Sequence, residues 1–122
     1  MTDTDKNKDK TIKQKALAHF KAKLANNLFS YKVEEWDCVI HYRATANMAT
    51  EAKIMNLTQT GKTAEALVES IVLKALDEDG KRIFKETDRV ELLNETDPSV
   101  LIRVAGVLNN ANSESIEAIE KN

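Results

Sequence analysis

Ala64, Leu67, Val68, Ile71, Val72 and Ala75 fall at i, i+3, i+4, i+7, i+8 and i+11. That spacing lays one apolar stripe along an α-helix and puts Lys62, Glu65 and Glu69 opposite it. Such a stripe is stable only when covered, so the remaining chain has to supply a matching surface, and Leu73 offers a second contact. One proline and three glycines in 122 residues leave few helix breakers and too few turn residues for a many-stranded β fold. The expected fold is therefore mainly α: a small helical domain with a short β-strand or hairpin element near residues 29–43.

Residues 1–10, MTDTDKNKDK, carry no apolar side chain after Met1. Burial there cannot offset the entropy of ordering, so this stretch is expected to be a disordered tail and residues 11–122 a single domain. From Thr11, a cap candidate, TIKQKALAHFKAKLANN places Ala16, Leu17, Phe20 and Leu24 on one helical arc, which Lys13 shares, and Asn26-Asn27 suits its end. The next segment, LFSYKVEEWDCVIHYRA, gathers most of the aromatics. Period two puts Trp36, Cys38, Ile40 and Tyr42 on one face and Asp37, Val39, His41 and Arg43 on the other. A lone hairpin is marginal in water, so it must pack on a helix or pair with another chain.

Thr45 or Asn47 can cap a helix in which Met48, Ala52 and Met55 recur at helical spacing until Thr60-Gly61. Beyond Phe84, Thr87 can cap a short helix carrying Val90 and Leu93, with Asp88 and Glu91 favourably placed in its first turn. Asp97 then caps and Pro98 opens a helix whose buried stripe is Leu101, Val104, Ala105 and Leu108, ending at Asn109-Asn110. From Ser113 through Ile116 to Ile119 the pattern allows an amphipathic turn or two, too short to stand unless docked.

The stretch LDEDGKRIFKETDRVELLN comes nearest to a chemical site. With Gly80 as the sixth position of a calcium loop, Asp77, Asp79 and Glu86 take positions 3, 5 and 12, but position 1 is Ala75, which the buried stripe needs. The structural alternative explains more: Gly80 permits a left-handed turn that ends the helix, and Ile83 and Phe84 fold back onto the core. Cys38 and His41 stand three apart in a strand and so point to opposite faces, which denies a Cys-His pair its hydrogen bond. Adding His19 gives three nitrogen or sulfur ligands without the fourth, or the paired spacing, of a zinc site. Glycines 19 and 26 residues apart exclude a phosphate loop. No catalytic residue, metal ligand or cofactor is expected, and recognition between proteins through apolar and aromatic surface is what remains.

Charge is uneven. Residues 1–23 hold seven lysines and three aspartates, a surplus of four that leaves −6 on the rest of a chain of net charge −2. The lysines alternate with polar and acidic neighbours and lack arginines or aromatics for base contacts, so a solvated arm is expected and no nucleic-acid partner. The competing reading is a small DNA-binding regulator, yet the helix of residues 98–108 offers only Arg103 as a basic side chain. The lone Cys38, the polar N-terminus and the lack of an apolar run near 18 residues point to a reducing compartment and no membrane partner.

From Trp36 onward the order of features resembles the tail assembly chaperones of long-tailed phages, of the lambdoid, HK type. The matching pieces are EWDCVIHYRA leading into TANMATEAKIM, the helix EALVESIVLKAL, the joint DEDGKRIF, and ETDRVELLNETDPSVLIRVAGVLNNAN; together the likeness covers about residues 29–112. The resemblance implies a mainly helical, non-enzymatic protein of the host cytoplasm, absent from the mature virion. It would bind the tape measure protein, recruit tail tube protein, work beside a frameshifted longer form of itself and assemble into homo-oligomers. The lysine-rich arm lies outside the likeness. Because the family has no catalytic residues, partner-binding candidates rest on surface logic: Phe29, Tyr31, Trp36 and Tyr42, with Arg43 at their rim. Trp36 and Tyr42 compete for a second role in the domain's own core.

Overall fold

The computed structural model describes residues 11–25 and 28–110. The expectations for residues 1–10, for Asn26-Asn27 and for the stretch from Ser113 to Ile119 fall outside the described residues. The elements in order are α1 (Ile12–Ala25), β1 (Phe29–Val33), a 3-10 turn (Glu34–Trp36), β2 (Cys38–Tyr42), α2 (Met48–Gln59), α3 (Thr63–Lys74), a second 3-10 turn (Glu86–Asp88), α4 (Arg89–Glu95) and α5 (Pro98–Asn109). The domain is mainly helical with one two-stranded antiparallel hairpin.

Local signals set several boundaries as expected. Thr11 Oγ1 accepts from Gln14 N–H at 3.1 Å while Gln14 Oε1 accepts from Thr11 N–H at 3.0 Å, a reciprocal capping box on α1. Asn47, not Thr45, caps α2 by accepting from Thr50 N–H at 2.8 Å. Gly61, at φ 83°, ends α2: Gly61 N–H donates to Thr58 O and Lys62 N–H to Leu57 O, which satisfies the last carbonyls. Asp97 caps α5 through Ser99 N–H at 3.0 Å, with Pro98 in the first turn. Thr87 does not cap α4. Asp88 instead folds back to accept from Lys85 N–H at 2.7 Å, and the 3-10 turn runs directly into the helix.

Helix α3 is the centre, packed against α2, α4 and α5. Val68, Ile71, Val72 and Ala75 of its stripe are buried and join Val100 and Val104 of α5 with Val33, Ile40 and Tyr42 of the hairpin in one core. Ala64, at the first turn, is exposed. Burial reaches further round α3 than the stripe, since Ala66, Glu69 and Ser70 are also buried. The hairpin pairs Phe29 with Tyr42 through to Val33 with Cys38. Its inner strand, β2, is tied to the chain leaving α3, because His41 N–H donates to Leu76 O at 2.9 Å and Leu76 N–H to His41 O at 2.8 Å.

Three expected faces differ. Trp36 lies in the 3-10 turn and Cys38 is exposed, so the buried strand face is Ile40 and Tyr42 only. The turn reverses at Asp37 with φ 49°, a left-handed conformation that Asp tolerates, and this offsets Trp36 from the strand. Helix α2 turns Ile54 inward, whereas Met48 and Met55 are 75% and 52% exposed. Both apolar registers exist on α2, and docking on α3 selects one of them. Finally, α3 ends at Lys74, before Gly80, whose φ of 81° serves a tight turn between Leu76 and Arg82. Phe84 packs on the core beyond it, and Ile83 is 41% exposed.

Candidate interaction surface

The polar side chains nearest to a chemical constellation turn out to be braces. Asp77 Oδ1 accepts from Asp79 N–H at 2.8 Å and Lys81 N–H at 3.0 Å, closing the Gly80 turn on itself. The Lys81 amide in particular holds the Asp77 carboxyl below its ordinary range. Among the described residues no group of three His, Cys, Asp or Glu side chains is placed to hold a metal ion. Cys38 pairs across the hairpin with Val33 and His41 with Ser30, on opposite faces. Partial burial, helped by Asp37, pushes the Cys38 thiol up, away from thiolate character.

Glu69 was expected on the solvent side of α3 and is instead buried, its side chain 4% exposed. Arg89 of α4 grips it bidentately, Nε to Oε1 at 2.5 Å and Nη2 to Oε2 at 2.8 Å, and Lys53 of α2 reaches Oε2 at 2.8 Å. Burial alone raises the Glu69 pKa, but the hydrogen bonds from Arg89 and Lys53 outweigh it and keep the carboxyl ionised below its ordinary range. One carboxylate thus pins three helices. A second polar chain crosses the α3–α5 seam: Asn109 Nδ2 donates to the buried Ser70 Oγ at 2.8 Å, and Lys74 Nζ donates to Asn109 Oδ1 at 3.0 Å and to Glu51.

The structure does not gather the five sequence-chosen candidates into one patch: Phe29 and Tyr42 meet at the open end of the hairpin and Trp36 lies in the turn at its other end. Tyr42 is 4% exposed and belongs to the core, while Tyr31 and Trp36 are half-buried against it. Phe29 is 38% exposed, with its ring centroid 5.5 Å from that of Tyr42. Arg43 is half-buried and turned away from the aromatic row, donating to Leu24 O at 2.5 Å at the end of α1. Arg103 of α5 donates to Tyr31 Oη at 2.9 Å and pairs with Glu35 at the hairpin tip, so that pair raises the Arg103 pKa and lowers that of Glu35.

The open apolar surface lies elsewhere, along α4. A groove of about 320 Å³ between α2, α3 and α4 is floored by Leu57, Val68, Val90 and Leu93 and edged by Lys53, Glu65 and Arg89. Sharing Val68 and Leu93 with it, a second groove of about 110 Å³ runs between α3, α4 and α5 past Leu67, Pro98, Leu101 and Ile102. Val90, Leu93 and Ile102 are 66%, 43% and 53% exposed. Together they make a trough with an apolar floor and charged rim, the composition of a protein-binding surface. Adjacent helical positions diverge by about 100°, so with Leu92 buried, Leu93 sits toward the edge. The Glu69 brace had no local signal, since its partners Lys53 and Arg89 come from two other segments.

Among the described residues no helix is long and apolar enough to cross a membrane. Compared with protein-family models, with curated proteins and with solved structures, the chain matches none.

Proposed function

We propose that this chain is a non-enzymatic assembly chaperone for phage tails, holding helical segments of a tape measure protein in the trough along α4 until tail tube subunits replace it. The observation that carries this reading is the trough itself: exposed Val90, Leu93 and Ile102 line up beside half-buried Leu67. An amphipathic client helix presents side chains at i, i+3, i+4 and i+7, a row that suits an elongated apolar groove. Many weak contacts of this kind along a long helical client add through multivalency, which favours a small domain working in many copies, with self-association between them. The resemblance of the stretch from Trp36 onward to tail assembly chaperones supplies the identity of the client and the setting, the host cytoplasm before the virion is complete.

Co-expression with the large helical tail protein tests the reading. The client should stay soluble with the native chain and precipitate with Val90→Asp/Leu93→Asp; client solubility that is the same with and without the native chain contradicts it. The DNA-binding alternative draws on α1, which carries Lys13, Lys15, Lys21 and Lys23 and no acid. On α5 the basic side chain Arg103 is already engaged by Tyr31 and Glu35. Affinity for random DNA that falls steeply with added salt would favour that alternative.

A further inference from the structure

We propose that the seat of α1 is exchangeable between copies, so that α1 of a second chain occupies the groove bounded by Ala44, Ala46, Leu73, Leu76 and Leu108 in place of the chain's own arm. This names a surface for the self-association in the function proposed above, and it rests on that part of the reading alone. Helix α1 holds the body lightly. Among its described side chains only Phe20 and Leu24 are partly buried, Ile12 and Leu17 are 85% and 59% exposed, and a gap of about 200 Å³ remains between the helix and its seat. Arg43 ties the helix to the body through its hydrogen bond to the Leu24 carbonyl.

The occupant is specified by contacts already present. A second copy's arm brings the same Phe20, Leu24 and Leu24 carbonyl to the same seat, so the exchanged form needs no new complementarity, the property that makes swapping an inexpensive route to assembly. Charge favours the encounter. Lys13, Lys15, Lys21 and Lys23 form no ion pair among the described residues, while residues 28–110 carry fourteen acids against ten lysines and arginines. The arm of one chain is therefore attracted to the body of another. Leu17 continues the Phe20–Leu24 stripe beyond the seat, which leaves apolar surface for a neighbouring copy to cover. Within one chain the own arm competes at an effective concentration on the order of millimolar, so the closed form dominates in dilute solution.

Complementation removes that competition. A chain with Phe20→Asp/Leu24→Asp keeps the seat and loses the arm's grip. A chain with Ala46→Asp, or with Thr50→Arg on the same groove, keeps the arm and loses the seat. By sedimentation equilibrium each variant alone should be monomeric, and the equimolar mixture should contain a species of twice the monomer mass. A mixture that stays monomeric with both seat variants, or an arm variant that associates by itself as strongly as the native chain, overturns the proposal. The assay contains no client, so its failure leaves client retention untouched, and loss of client retention leaves this result untouched.

Discussion

The two long sides of α3 are covered in different ways. Toward α5 and the hairpin the seam is closed: Ile71, Val72 and Val104 are fully enclosed and the buried Ser70 hydroxyl is satisfied by Asn109 and the Ala66 carbonyl. Toward α4 the seam is held by the charged clamp on Glu69 and stays open beside it, with Val90 and Leu93 facing solvent. The difference is one of length and cover. Helix α5 runs from Pro98 to Asn109 and lies along α3, whereas α4, Arg89 to Glu95, is too short to cover the side chains it meets. A bidentate ion pair fixes a short helix in place without filling the space around it. The closed seam therefore supplies stability, and the open one is where the proposed recognition would take place.

Mutations separate the two seams. At the closed one, Ile71→Ala removes a fully buried side chain from the core and should cost about 2–5 kcal/mol, read as a lower midpoint in denaturant. Replacing Glu69 with Gln strips the clamp and should cost about 1–3 kcal/mol near neutral pH. That loss depends on pH. Because the folded-state pKa of Glu69 is depressed, its stabilisation is present above the unfolded value of about 4.3 and disappears as pH falls through the folded value. The native chain should accordingly lose more stability than the Gln variant on acidification, and parallel acid limbs in the two titrations would show that the clamp contributes nothing. Asn109→Ala breaks the polar link to Ser70 and Lys74 and should cost about 1 kcal/mol, seen as a shift in thermal midpoint. Val90→Asp/Leu93→Asp at the open seam should change stability by about 0.5 kcal/mol or less per site while client retention falls.

Sequence periodicity revealed the central helix and most of the caps because those signals are local: a stripe at 3.6-residue spacing, Thr11 ahead of α1, Asp97 before Pro98, Gly61 after α2. It misassigned what depends on neighbours far along the chain. Met48 and Met55 have the same spacing as a buried stripe, and only the angle at which α2 meets α3 turns Ile54 inward instead. Glu69 reads as solvent-facing until Lys53 and Arg89 arrive from either side of it. The aromatic segment was legible as a strand or hairpin, and Ile40 and Tyr42 kept the inward face read for them, yet the 3-10 turn and left-handed Asp37 moved Trp36 off the strand face. The trough was hidden for the opposite reason: Val90 and Leu93 form a correct amphipathic pair, so they read as buried, and the shortness of α4 is what leaves them uncovered.

Amide hydrogen exchange with and without added tape measure protein, the client proposed above, tests the central claim most directly. The account predicts added protection in residues 53–69 and 89–102, which border the trough, with the hairpin of residues 29–42 unchanged. Protection confined to the hairpin, or none anywhere while the client remains bound, would contradict it.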